Sequence, residues 1–417
     1  MKKLRIGVFG AGRGCTMINI LLKHPDAEVV AICDKYRPLL EKAGKTAEEN
    51  GVKVALFEDF EEFFRYDMDA VVLANYACEH APYAIRLLRS GRHVLSECLT
   101  CASMAQAVQL IEAVEETGKV YAYAENYCYQ DITFDMWRSC ERGDIGKIMY
   151  AQGEYVHDCS SEWVPLTQGD PRHWRNNSYS TFYCTHGIGP VLTMTGLRPV
   201  KVSGFEGNIA PYMFDIGARD STIGMEIITL ENGSIVRCIN GNLRHHNAAG
   251  INSSYIVYGE NGMLESSRYK GNTIYKYTVS EGCSEYTPEK QIEADLAKKF
   301  NTHGGADFYP THFFIEKILG NEVGKKYSID VYKAVDMCIC GILAYRSILN
   351  DNKSMKIPDL RDPAERDQYR NDHACTFEYE AGDQLLPNNS HGVVLPDDAP
   401  CFAMMQEKWH EYEKKNF

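Results

Sequence analysis

The chain has 417 residues, 44 Lys+Arg against 57 Asp+Glu for a formal net charge of −13, and 44% hydrophobic residues. That length and apolar content suit two or three globular domains and exclude a disordered or fibrous chain. The acidic surplus excludes nucleic acid and anionic lipid as expected partners.

In chain order, the first ~120 residues alternate short β-branched runs with helix-period stretches, the pattern of a parallel sheet with crossover helices. Strands are expected over 4–9, 28–33, 70–74, 93–96 and 120–124, and helices over 16–23, 60–65, 80–90 and 104–117. The run Ala70-Val71-Val72-Leu73-Ala74 is short and wholly apolar, as in a sheet covered on both faces. Beyond residue 125 the texture changes to longer aromatic and β-branched strands over 147–157, 200–205, 222–230, 234–240 and 254–258. Turns such as Glu231-Asn232-Gly233 and Glu260-Asn261-Gly262 separate them, which argues an antiparallel sheet. Helices follow over 307–319 and 330–349. The Pro- and Asp-rich segment from Pro358 onward lacks periodicity and is expected to wrap the surface.

The fold class expected is α/β, with three consecutive blocks: a dinucleotide-binding domain over 1–124, an α+β domain with an open antiparallel sheet over 125–360, and a wrapping segment over 361–417. The apolar start breaks at Gly10 and Arg13, and no later run approaches the ~18 apolar residues of a membrane span. Fifteen scattered Cys, among them Cys33, Cys338 and Cys340 in apolar runs, read as reduced thiols. A cytoplasmic protein is expected. The single Cys-x-x-Cys, Cys98 to Cys101, lacks a second pair, so no metal site is expected. The adjacent His245 and His246 would point to opposite faces of a strand and are not expected to share a metal.

The first strand runs into Gly10-Ala11-Gly12-Arg13-Gly14-Cys15 and then a helix, the context that a dinucleotide fingerprint requires. Gly10 permits the tight turn, Gly12 lets the backbone approach a pyrophosphate, and Cys15 takes the third position, where close packing of helix on strand is expected, with Gly14 easing the turn. The next strand ends at Asp34, 22 residues beyond Gly12, where a carboxylate can bond both ribose hydroxyls. Asp34 would repel a 2′-phosphate, which favours NAD. Arg37 keeps NADP as the alternative.

The segment 69–100, DAVVLANYACEHAPYAIRLLRSGRHVLSECLT, with Asn126, the segment 141–146 and the helix over 330–345, resembles the Gfo/Idh/MocA oxidoreductases over most of the chain to about residue 360. The resemblance implies a Rossmann domain followed by an open-faced sheet domain, with Asn75, His80, Glu97 and Asn126 joining Gly10, Gly12, Arg13, Gly14 and Asp34 at the cofactor. Ordinary dehydrogenases of that family carry Glu-Lys-Pro with a catalytic Lys. This chain has Glu97-Cys98-Leu99, and a neutral thiol cannot replace an ammonium at a developing alkoxide.

Tyr155-Val156-His157-Asp158, Trp174-Arg175 and Tyr183-Cys184-Thr185-His186-Gly187-Ile188-Gly189-Pro190 resemble the NAD-dependent glycosidase branch typified by α-N-acetylgalactosaminidases, and His303-Gly304-Gly305-Ala306-Asp307-Phe308 resembles its His-Gly-Gly-x-Asp-Phe segment. This implies catalytic Tyr183, His186 and His157, with Tyr155, Arg175 and Tyr255 on a carbohydrate substrate. Tyr183 and His186 are three apart and would share a face in a helical turn. Each residue also has a bland reading: an aromatic pair under the sheet, a bonded strand histidine oriented by Asp158, a surface Arg, and His303 with Asp307 capping the following helix. Trp163 and Trp174 suit sugar stacking or a core equally. Three functions follow: an NAD-dependent glycoside hydrolase acting by transient C3 oxidation, a sugar or cyclitol dehydrogenase with net redox turnover, or a non-catalytic sugar or NAD sensor. A homo-oligomer is expected, because an open sheet face is often buried between subunits.

Overall fold

The computed structural model describes residues 3–244, 252–289, 292, 294–300 and 305–417. His245, His246 and His303 lie outside the described residues. Contacts group the chain into two compact units, Met1–Asp131 with Lys290–Val335 and Leu360–Asn371, and Ile132–Glu289 with Asp336–Asp359 and Asp372–Phe417. The units are therefore interleaved in sequence, where blocks ending at 124 and 360 were expected. The reason is packing: Phe314 and Ile315, far along the chain, are buried in the same core as Ile6, Val8 and Met17.

The first unit holds six parallel strands, β1 (Leu4–Phe9), β2 (Ala27–Cys33), β3 (Ala55–Phe57), β4 (Ala70–Leu73), β5 (His93–Ser96) and β6 (Tyr121–Tyr123), in the order β3-β2-β1-β4-β5-β6. This is the doubly wound order, whose reversal between β1 and β4 opens a crevice at the strands' carboxyl ends. Helices α1 (Ala11–Leu21), α2 (Arg37–Glu49), α3 (Phe60–Arg65), α4 (His80–Arg89) and α5 (Met104–Thr117) connect the strands. Every residue of β4 is buried, as its wholly apolar composition requires. Helix α1 begins at the glycine turn, five residues before the expected 16, because glycines carry no apolar period. Helix α2 was missed, although Leu40, Ala43, Gly44 and Ala47 are buried at helical spacing behind a proline in the first turn.

The second unit is built on nine strands: β7 (Ile148–Val156), β8 (Pro199–Glu206), β9 (Ile223–Leu230), β10 (Ile235–Gly241), β11 (Ser253–Gly259), β12 (Gly262–Ser266), β13 (Ile274–Thr278), β14 (Gly282–Tyr286) and the two-residue β15 (Met355–Lys356). Their order is β14-β13-β12-β11-β7-β10-β9-β8-β15. All pairs are antiparallel except β10 with β7. Strand β9 alternates half-buried and buried residues along its length, the signature of a sheet with one covered face. Helix α6 (Asp131–Glu141) opens this unit, and α7 (Trp163–Thr167) is followed by α8 (Thr185–Thr195), which lies on the covered face. The expected irregular tail instead ends in a 17-residue helix, Pro400–Asn416, burying Phe402, Met405 and Trp409. Those three positions lie on one helical face. Among the described residues no helix is long and apolar enough to cross a membrane, and no disulfide links the cysteines.

A buried histidine pair ties α1 to the helix Phe308–Ile318 in the first unit. The Asp26 N–H donates to His24 Nδ1 at 3.2 Å, which leaves the ring proton on Nε2, 3.0 Å from His312 Nδ1. Burial, then His312 and Lys3, lower His24 from 6.5 to about 4. The fold therefore holds this ring neutral. Its contribution is complete above pH 6.5 and is lost as pH falls towards 4, by up to about 3 kcal/mol. Urea unfolding should show this loss between pH 7 and pH 4, and His24→Gln should flatten it.

Candidate cofactor and active sites

In the first unit the chain leaves β1 through Gly10 at φ 98° and enters α1 directly. A Cβ on Gly10 would sit 2.3 Å from the Ala74 carbonyl oxygen and 2.5 Å from Asn75 N, so both backbone angle and space demand glycine. Gly12 is exposed, with only Leu39 near its Cβ direction. Close packing of helix on strand falls on Gly14, whose Cβ would meet Val8 Cγ1 at 2.9 Å. Cys15 is exposed, so the packing role expected there belongs one residue earlier. Asp34, at the end of β2, accepts from Ala11 N through Oδ2 at 2.6 Å and from Tyr36 N through Oδ1 at 2.8 Å. Each oxygen keeps a further lone pair for a ligand hydroxyl. Arg37, the residue that kept NADP open, is exposed and paired with Glu41 and Glu58.

The residues present fit a dinucleotide. Helix α1 has no side-chain N-cap and no acidic residue in its first turn, so its positive end is presented for a phosphate. Beside Gly10, the buried Asn75 Oδ1 has no hydrogen-bond partner among the described residues, while Asn75 Nδ2 donates to Glu79 at 3.3 Å. A buried orphan acceptor at this turn awaits a donor.

The other expected cofactor residues of this unit form a polar network. Arg13 Nη2 lies 2.8 Å from Glu97 Oε1 and 2.6 Å from Asp307 Oδ1, and Asn126 Nδ2 donates to the same Asp307 oxygen at 3.0 Å. Asp307 makes no side-chain cap on the helix it precedes, so the capping role considered for it is replaced by this link. Burial pushes the Glu97 carboxyl up, with Arg13 pulling it down. Cys98, at the family's lysine position, donates its thiol to Glu125 Oε2 at 3.2 Å, and burial holds that thiol well above its usual range. It is neutral and carries no ammonium-like charge. His80 is buried with Nδ1 2.9 Å from the Leu99 carbonyl and Nε2 3.3 Å from that of Asn75. Burial lowers it to about 4. The neutral ring has one N–H, so it donates to one of these two carbonyls and only faces the other, and His80 lies against the backbone of the loops around the turn.

The second unit gathers Tyr155, His157, Arg175, Tyr183 and His186. A Cβ on Gly153 of β7 would lie 2.0 Å from the Gly187 carbonyl oxygen, and one on Gly187 2.6 Å from Cys238 Sγ. These two glycines let α8 settle directly on the sheet. His186, in the first turn of α8, thereby meets Tyr155 of β7 at 4.7 Å between ring centres and Tyr183 at 4.9 Å, both edge to face. The Tyr155 hydroxyl is 3.0 Å from His157 Nδ1, with Cys159 Sγ at 3.3 Å from the same nitrogen. Asp158 accepts from Ser160 N. Trp174 stacks on Tyr183, and the Arg175 guanidinium lies 4.3 Å from the Trp174 ring and 5.4 Å from that of Tyr183. Trp163 is core: it is 2% exposed and donates to Asn176.

Tyr255, expected at the substrate, is 1% exposed and donates to the His186 carbonyl at 2.6 Å. The reason is in the helix. Pro190 stands four residues after His186 inside α8 and has no N–H to return to that carbonyl. The Tyr255 phenol supplies the missing donor from β11, which fixes the backbone of His186.

Comparison with known proteins places this architecture. Residues 4–125 match the family model described as oxidoreductase family, NAD-binding Rossmann fold, and residues 286–364 match glycosyl hydrolase 109, C-terminal domain. The chain resembles the Gfo/Idh/MocA oxidoreductases, and its residues 4–125 form an NAD-binding Rossmann domain. Its relatives include glycosyl hydrolase family 109 protein 1 of Phocaeicola vulgatus, 24% identical with 86% of this chain and 84% of that protein covered. The protein of the same name in Bacteroides thetaiotaomicron is also 24% identical, with 86% and 85% covered. Among solved structures, scyllo-inositol dehydrogenase of Lactobacillus casei with NAD(H) and scyllo-inositol shares the fold at a TM-score of 0.66 and 19% identity, over 87% of this chain and 100% of that one. An Agrobacterium radiobacter oxidoreductase with NAD+, L-tartaric acid and magnesium does so at 0.68 and 13%, over 85% and 98%.

Two substitutions test these local readings. Gly10→Ala should cost about 1–3 kcal/mol and abolish nucleotide retention, read as absorbance released from the denatured protein. Tyr255→Phe should cost about 1–3 kcal/mol by stranding the His186 carbonyl; thermal unfolding identical to the parent would show that the phenol does not satisfy it.

Proposed function

We propose that the chain is an NAD-dependent glycoside hydrolase that works through transient oxidation at sugar C3. The observation that carries the reading is the ring cluster of Tyr155, Tyr183 and His186, with Arg175 beside it and a neutral thiol at Cys98. The names of the family 109 relatives agree with it. The turn Gly10 to Gly14, Asp34 and Asn75 would hold the dinucleotide, with Arg13, Glu97 and Asn126 as the polar network behind it. Bound NAD+ would supply reversible oxidation of the 3-hydroxyl, which acidifies the hydrogen on C2.

The chain's own groups then handle protons. His186 takes the proton of the 3-hydroxyl, and Tyr183, with the Arg175 guanidinium 5.4 Å from its ring, removes the one on C2. The C1–O bond breaks, the aglycone leaves with the electron pair and takes a proton from His157, and the hydroxyl of a water bonds C1 while that water's other proton restores His157. Tyr183, its proton exchanged with solvent, protonates C2, and once the hydride is back on C3 His186 returns a proton to the 3-oxygen, so the sum is glycoside plus water giving free sugar plus aglycone. His157, bonded to Tyr155, serves as the acid at the leaving oxygen, and Tyr155 and Arg175 contact the sugar.

The fold likeness to inositol dehydrogenases favours a second reading, a sugar or cyclitol dehydrogenase in which His186 stands for the missing Lys. Nitrophenyl glycosides with no added NAD separate the two. Nitrophenol without accumulating NADH is expected; stoichiometric NADH would establish the dehydrogenase. In heavy water the product should carry deuterium at C2, and Tyr183→Phe should slow the reaction by ~10²-fold or more. A variant as fast as the parent would remove Tyr183 from the mechanism.

A further inference from the structure

Arg219 lies on the connection before β9 and is 8% exposed. It is not one of the five residues assigned to the sugar. Its guanidinium nevertheless reaches the two ends of the loop 171–177, which carries Trp174 and Arg175. Nη1 donates to the Pro171 carbonyl at 2.9 Å and also bonds Asn177 Oδ1. The other side of the same fork is taken by the C-terminal segment: Nε donates to the Leu395 carbonyl at 2.8 Å, and Nη2 to Asp397 Oδ1 at 2.6 Å. Phe402 of the last helix lies under the guanidinium at 5.3 Å.

The segment itself reinforces the hold. Thr376 donates to the Asn177 carbonyl at 2.6 Å, Asn388 Nδ2 to those of Asn177 and Ser178 at 2.8 and 3.2 Å, and Asn389 Nδ2 to that of Arg219 at 2.9 Å. Ser178 donates to Asp220 at 3.2 Å. On the flank, a Cβ on Gly169 would lie 2.5 Å from Gln406 N, and Met405 joins Cys159, Trp163 and Met213 in one buried cluster. The residues after 372 lie outside both matched segments, 4–125 and 286–364. Within the loop, Trp174–Asn176 form a tight turn and Asn177 Nδ2 donates to the Pro171 and His173 carbonyls at 2.8 and 2.9 Å, so the loop closes on itself and Arg219 adds the bonds that tie this closed unit to the C-terminal segment.

We propose that Arg219 is a positioning residue, which fastens both ends of the loop 171–177 to the C-terminal segment and so sets how Trp174 and Arg175 meet the sugar. The functional half rests on the glycosidase reading; the clamp itself does not. A planar fork with five donors is what this geometry uses, and lysine cannot reproduce it.

Two measurements on the full-length protein test it. Amide exchange needs no substrate: in Arg219→Lys the amides of 172–178 should exchange ~10-fold faster or more, with those of β7 and β10 unchanged. Exchange at the parent rate overturns the proposal, whatever the enzyme hydrolyses. With the nitrophenyl glycoside that the parent cleaves, KM should rise ~10-fold or more while kcat changes less than ~3-fold. Faster exchange with an unaltered KM overturns the functional half and leaves the glycosidase reading standing. Asn388→Ala, which keeps Arg219 and removes two bonds from the segment, should move both readouts in the same direction by a smaller factor; if it moves neither while folding normally, the segment is no part of the clamp.

Discussion

A helix that contains a proline owes its fourth preceding carbonyl a donor, and in this protein that carbonyl belongs to His186. The debt is met from the sheet by Tyr255, and it can be met only because Gly153 and Gly187 allow the helix to lie against the strands without side chains between them. Three residue types at fixed positions thus determine one ring's place. Once His186 is held from behind, its edge contacts with Tyr155 and Tyr183 follow from the register of β7 and the turn that opens α8.

The first unit shows a different economy, in which charge is balanced across long sequence distances. One guanidinium nitrogen of Arg13 serves both Glu97 and Asp307, and Asn126 adds a neutral donor to the latter. Burial first, and then the nearby Asp307 carboxylate, raise Glu97 against the pull of Arg13, while burial with Glu125 and Glu97 keeps the neighbouring Cys98 a neutral donor. Histidines in this unit follow the same rule: His80 and His24 are both held neutral because burial makes the charged form costly.

Much of this was legible in the sequence, where local pattern and local cause coincide. Strands β1 and β5 and helices α3 and α5 fall on the expected residues, since short buried runs and capped amphipathic stretches carry their own signal. The glycine turn and Asp34 were likewise readable from spacing. What escaped was non-local. The partner of Asp307 is 294 positions away, and a carboxylate ahead of a helix looks like a cap to any local rule. The bond from Tyr255 to the His186 carbonyl follows from Pro190, but it runs across the sheet, where no local pattern shows it. Strands β12 to β14 are short and polar on their exposed face, and the last helix hides three apolar positions in a charged run.

The interleaving of the two units also constrains how the molecule comes into being on the ribosome. The first 131 residues carry all six strands of the parallel sheet, yet Phe314 and Ile315 of their core emerge only after strands β7 to β14 of the second unit have been made. The nascent Rossmann sheet must therefore wait, with apolar surface uncovered, through the synthesis of roughly another 180 residues, the stage at which incomplete folds aggregate or recruit chaperones.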